Sequence, residues 1–189
     1  RAAAARARRV RARGRSRPRG GGRRVGLYGW REPLDETDFY NWDYVCELLA
    51  KQKPFHEPNE EICYHPKTIG FLVGELIKRI TKKTVGKNLH ELLSKPLDAK
   101  CFIGTPEIYH DNIAELISSE SLRKAFSNPE NVDNYMVTAF LNPANRTKTA
   151  NTAEWRLAEI PAMNCHGNSR SIAKIYDHFI NHQSNNFIS

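Results

Sequence analysis

A tyrosine and a histidine stand side by side at positions 64 and 65. Pro66 and a strongly patterned apolar stretch follow at once: EEICYHPKTIGFLVGELIKRI, residues 60–80. A phenol has an ordinary pKa near ~10 and is a poor base at neutral pH. A neighbouring ammonium stabilises the phenolate and lowers that value. Held at a helix start beside a lysine and a serine, such a tyrosine can take the proton of the serine hydroxyl and so create a nucleophile. Tyr64 is therefore the first candidate catalytic residue. His65 is a weaker second, through a hydrogen bond near a substrate. Against both stands a packing role: a ring at a helix entrance commonly stacks on neighbours or bonds to backbone.

The serine and lysine this chemistry needs are not obvious. Ser-x-x-Lys occurs twice, as SLRK (Ser121–Lys124) and SIAK (Ser171–Lys174). With ten Ser and twelve Lys in 189 residues, two such matches carry little weight, and both follow Tyr64. Other pairings are weaker still. His178 and His182 are four apart and could share a helix face, but they lack a third ligand and the Glu of H-E-x-x-H. Cys165 and His166 are adjacent in sequence, which is not the spatial arrangement a thiol–imidazole pair needs. Cys46, Cys63, Cys101 and Cys165 show no C-x-x-C spacing, so they read as reduced thiols, favouring an intracellular setting. No metal and no cofactor is expected. Trp30, Trp42 and Trp155 read as packing residues.

The elements that would hold these residues are mostly helical. Asp43 could cap a helix over 44–51 with Val45, Leu48 and Leu49 on one face. After an extended loop over 54–63, Ile69, Leu72, Val73, Leu76, Ile77 and Ile80 form one continuous helical stripe. Pro66 suits its first turn, and Gly70 and Gly74 leave room for close approach on an adjoining face. Glu75 and Arg79 form an i,i+4 pair. A short helix is expected near 88–94 and an extended piece at CFIGTPE. A helix is expected over 107–126, burying Ile108, Ile113, Leu116, Ile117 and Leu122. Residues 127–152 read as irregular apart from NYMVTAFL, a short helix or strand. A last helix at SIAKIYDHFINH should turn Ile172, Ile175, Tyr176 and Phe179 inward. Strand signals are few, and no βαβ alternation is visible.

Several linked blocks resemble one family. The segment Y-H-x-x-T-x-G-x-L-x-G-E-x-I-x-R matches at Tyr64, His65, Thr68, Gly70, Leu72, Gly74, Glu75, Ile77 and Arg79. A later block matches at Pro96, Leu97, Phe102, Ile103, Gly104 and Pro106. GLYGW upstream and EIPAMNCHGNSRSIAKIYDHF downstream extend the likeness over about 25–180. The chain resembles the serine β-lactamase-related esterases, which belong with class C β-lactamases and penicillin-binding proteins. The resemblance implies an acyl-serine mechanism: a Ser of Ser-x-x-Lys attacks a small ester or amide, Lys and Tyr manage its proton, and backbone N–H groups hold the oxyanion. It implies a partial α/β serine β-lactamase/transpeptidase-like fold, mainly α, chiefly the helical subdomain and lacking much of the sheet. It also puts Tyr64 at the general-base position. Pro66 stands where the Asn of Y-x-N would stand, which removes a substrate-contacting amide. The family's nucleophile precedes its Tyr, so neither Ser121 nor Ser171 fits. No Lys-Thr-Gly or His-x-Gly motif follows residue 166. A truncated member, inactive as it stands, is the expectation.

Charge sets the domain limits. Residues 1–24 carry eleven Arg and no acid; the remainder has 18 basic against 21 acidic residues, a net of −3. The whole excess of +8 therefore lies in that tail. Low in complexity and without large apolar side chains, residues 1–24 read as disordered, and 25–189 as the partial domain. The tail could be a basic arm contacting nucleic acid or anionic membrane, a transit-like segment, or sequence foreign to the domain; the last is favoured. A non-catalytic binding or scaffold protein using that arm is the alternative to a hydrolase. Substrate and oligomeric state are left open.

Overall fold

The aromatic segment at the start of the domain forms the centre of its core. The computed structural model describes residues 25–119, 134–144 and 147–181. Trp30, Phe39 and Phe71 meet with ring centroids 5.2–5.8 Å apart. Val45, Leu49, Trp155 and Ile160 close around them. The Trp30 indole N–H, which would be costly to bury unpaired, donates to the Val45 carbonyl at 3.0 Å. A 3-10 turn over Glu36–Tyr40 delivers Phe39 to this cluster.

Helix α1 spans Trp42–Lys51 and buries Val45 and Leu49. Its cap is Asn41, whose side chain accepts from the Tyr44 N–H at 3.2 Å, not Asp43 as the sequence implied. Asp43 lies inside the first turn, where its charge suits the helix N-terminus, and takes the Lys78 ammonium at 2.6 Å.

Helix α2 spans Thr68–Thr81 and ends at Lys82 in the left-handed region. The helix is where the sequence puts it, but its buried face is not. Thr68, Phe71 and Gly74 are buried, whereas Val73, Leu76 and Ile80 of the apolar stripe are largely exposed. Both sets satisfy a period of 3.6, so periodicity cannot choose between them. Small residues decide the matter. A methyl at Gly70 would fall 2.6 Å from the Ala162 nitrogen, and one at Gly74 2.4 Å from Trp42 Cη2. The helix docks through its glycines and Phe71, and the wide stripe is left beside that contact. Glu75 serves both neighbours, accepting from the Trp42 indole at 2.8 Å and from Arg79 at 2.8 Å.

Helix α3, Val85–Leu89, runs on as a π-turn over His90–Ser94. It starts earlier than expected because Thr84 caps it. Strand β1, Cys101–Ile103, leads into Gly104 at φ +74°. Of the helix expected over 107–126, the described residues 107–119 hold only a 3-10 helix over Glu107–Asn112, closed by the His110 ring on the Thr105 carbonyl at 2.9 Å. From 113 to 119 no helix forms; Asn151 grips both the N–H and the carbonyl of Leu116, at 2.8 and 3.0 Å. Ile108, Leu116 and Ile117 are exposed rather than buried; Leu122 lies outside the described residues.

NYMVTAFL resolves as helix α4, Asn134–Phe140. Short helices α5, Thr147–Ala150, and α6, Ala153–Leu157, follow. Strand β2, Cys165–Gly167, pairs antiparallel with β1, Cys101 opposite Gly167 and Ile103 opposite Cys165. Helix α7 spans Ser169–Asn181. It too docks by a polar position, Ser171, while Ile172, Tyr176 and Phe179, expected inward, are exposed. The described residues are thus mainly helical, with a single two-stranded sheet among them, as the partial fold implied. The tail over 1–24 lies outside them.

Candidate active site around Tyr64

Residues 61–65 run without regular structure into the Pro66–Lys67 turn and α2. Alternate residues of such a segment point to opposite sides. Tyr64 points out, with 57 % of its surface exposed, and His65 points in, with 1 %. The Tyr64 ring leans on Phe140, centroids 6.2 Å apart, and its carbonyl accepts from the Tyr135 hydroxyl at 2.7 Å. Helix α4 therefore holds the Tyr64 backbone and supports one side of its ring. More than half of the residue's surface is open to solvent.

His65 is a core residue. Its Nδ1 lies 2.8 Å from the Cys63 carbonyl and its ring meets Tyr28 edge-on at 6.4 Å. Burial pushes its pKa below the ordinary histidine value, partly offset by the bond to Cys63; His56 adds to the fall. A neutral, enclosed imidazole fixes the segment and does not face the surface that Tyr64 occupies.

Sequence reasoning passed over Lys67. Its side chain is as hidden as His65, at 2 % exposure, yet it carries an ammonium. That group donates to the Phe140 carbonyl at 2.8 Å and to the Pro143 carbonyl, and lies 6.0 Å from the centre of the Phe39 ring. Burial lowers its pKa to about 8, with Glu36 acting in the opposite sense. Lys67 ties the start of α2 to the end of α4, and Thr68 Oγ1 adds a bond to the Leu27 carbonyl at 2.6 Å. A lysine inside a helix-opening YHPKT run gives no local sign of this; its partners lie more than seventy residues on. Asn142 completes the support, donating to the Trp30 and Glu32 carbonyls at 2.9 and 2.7 Å.

The serine candidates do not complete a catalytic pair. Ser171 is buried, and its oxygen accepts from the Lys100 N–H at 2.8 Å. Lys174 donates to the Asp98 carbonyl at 2.7 Å, on the loop before β1. Both serve to fasten α7. Ser121 and Lys124 lie outside the described residues, as does His182.

Cys165 and His166 alternate across β2. The thiol of Cys165 stands 3.5 Å from that of Cys101, and burial pushes its pKa up to about 12. His166 bonds instead to Thr105 Oγ1 at 2.8 Å. They line a cavity of about 370 Å³ with Phe102 and Tyr109, but the thiol is protonated and the ring is engaged elsewhere.

The mainly helical, partial fold is of the beta-lactamase-like class. The chain belongs to the beta-lactamase family, whose model matches residues 24–186. Among solved structures it is similar to a family VIII carboxylesterase, 31% identical over 85% of this chain and 42% of that one, with a TM-score of 0.75. It is similar to EstA from Arthrobacter nitroguajacolicus Rue61a, 25% identical over 82% of this chain and 41% of that one, TM-score 0.71. A penicillin-binding protein homologue from Caulobacter crescentus is 28% identical over 83% of this chain and 41% of its own, TM-score 0.65. The chain thus spans about two-fifths of the length of these structures. No curated protein matches it.

Proposed function

We propose that residues 25–189 are a partial domain of an acyl-serine hydrolase for small esters or amides, with Tyr64 in the general-base position. Residues 1–24 stand outside that domain. The observation that carries the reading is the contrast at the entrance to α2. Tyr64 is more than half exposed, while its neighbours His65 and Lys67 are buried and fix the backbone. A base must reach the proton it takes, and its own position must be held still. The similarity to a family VIII carboxylesterase favours an ester substrate, and Pro66 in place of the Asn of Y-x-N agrees with that choice.

Among the described residues, no Ser-x-x-Lys pair is free to serve Tyr64. The Ser171–Lys174 pair is committed to α7, and both Ser-x-x-Lys matches follow Tyr64. Turnover by this chain alone is therefore not expected. Incubation with a fluorophosphonate probe, read by intact-mass spectrometry, should leave the mass unchanged. Stoichiometric labelling of one serine would overturn this reading.

A further inference from the structure

The loop before Tyr64 holds a second group of reactive side chains that hydrolase chemistry does not use. We propose that His56, Glu61 and Cys63 form a binding site for one divalent zinc-type metal ion. Each of the three offers a ligand atom, and these atoms all lie within 4.8 Å of one another. Bonds of ~2.0–2.3 Å in a tetrahedral zinc site separate ligand atoms by roughly 3.3–3.8 Å. Side-chain rotation of an ångström or so closes the difference.

The histidine supplies an independent indication. His56 Nδ1 lies 2.9 Å from the Glu57 carbonyl. A carbonyl only accepts, so Nδ1 carries the proton and Nε2 keeps its lone pair. That Nε2 is shut off from solvent and has no hydrogen-bond partner among the described residues. An orphaned buried acceptor costs stability, and a metal would satisfy it. A backbone carbonyl on the far ring nitrogen is also the usual arrangement for a metal-binding histidine, because it fixes tautomer and orientation.

The loop is built to bring the three together. The His56 ring lies nearly parallel to Tyr28, centroids 6.3 Å apart, and Tyr28 stacks on Phe55 at 4.5 Å. The Glu57 carbonyl also accepts from the Glu60 N–H, and Asn59 at φ 75° turns the chain back. Cys63 is anchored through its carbonyl, held by His65. Imidazole, thiolate and carboxylate together carry −2 and neutralise a divalent ion. A thiolate and an imidazole select zinc over magnesium or calcium. The Cys63 thiol gives its proton to solvent as the sulfur–metal bond forms, and a water can take the fourth position. Bound metal would pin residues 56–63, the segment that leads directly into Tyr64. The site does not depend on the hydrolase reading.

Cobalt(II) titration of the full, reduced chain tests it. One equivalent should bind, with a near-ultraviolet thiolate-to-cobalt charge-transfer band and visible bands of four-coordinate intensity; zinc should displace it. Cys63→Ser should abolish the charge-transfer band. His56→Gln and Glu61→Gln should each weaken zinc binding at least tenfold against a chromophoric chelator, Glu61→Gln with the band retained. Glu61 is exposed, so this variant keeps the test valid if the other two fold poorly. The double variant Cys101→Ser/Cys165→Ser should behave as the parent. Absence of a saturable thiolate band overturns the proposal. So does a band that survives in Cys63→Ser or disappears in the double variant.

Discussion

Replacing Lys67 by Met separates the two effects that hold the base of the Tyr64 segment. The substitution removes the bonds to the Phe140 and Pro143 carbonyls and leaves those acceptors unpaired, a loss of about 1–3 kcal/mol for each. It also removes a charge whose burial opposes folding at neutral pH. The folded pKa of about 8 lies below the ordinary lysine value of 10.5. Between these values the unfolded chain binds the proton and the folded chain does not, so stability rises with pH. The penalty is fully present below pH 8 and disappears above 10.5. From pH 7 to pH 10 the parent should gain about 2–3 kcal/mol from this group. Lys67→Met lacks that gain, so its destabilisation relative to the parent should grow by the same amount. Urea unfolding of both proteins at pH 7, 8.5 and 10 reads the difference, in which the other titrating groups cancel. A difference that is flat with pH would refute the assignment of Lys67 as a buried, charge-penalised tether.

Two further outcomes follow from the same geometry. Changing Val73, Leu76 and Ile80 together to Gln, Glu and Lys should alter stability by less than about 0.5 kcal/mol per site and reduce dye binding to exposed apolar surface. Were that stripe the core face, the loss would be about 2–5 kcal/mol per site. Gly70→Ala, by contrast, drives a methyl against the Ala162 backbone and should cost about 1–3 kcal/mol in urea unfolding.

Local signals in the sequence located most helices and misassigned several of their faces. The run from Ile69 to Ile80 specifies a helix, and α2 is there. Its docking face was hidden because Thr68, Phe71 and Gly74 share the same period as the apolar stripe, and only the partner elements Trp42 and Ala162 break the tie. The helix expected over 107–126 is absent from residues 113–119 for a similar reason. Asn151, far along the chain, takes both backbone groups of Leu116, and no local preference reports that. Family membership was legible because its blocks are linked and ordered from Tyr64 to Pro106, and the matched region covers them. The exposure of Tyr64 beside buried His65 was not, since both stand in one short loop and their contrast comes from α4 and Tyr28. The His56, Glu61 and Cys63 grouping escaped notice because the spacing H-x4-E-x-C belongs to no familiar motif and needs the turn at Asn59 to close.

The central proposal is that the Tyr64 phenol relays a proton for an attacking serine. The direct measurement supplies that serine. Residues 25–181 replace the matching segment of the family VIII carboxylesterase, and kcat for a small p-nitrophenyl ester is compared with Tyr64 intact and with Tyr64→Phe. The account predicts hydrolysis by the first and a kcat lower by about 10²–10⁴ in the second. An equal kcat in both chimeras would contradict it.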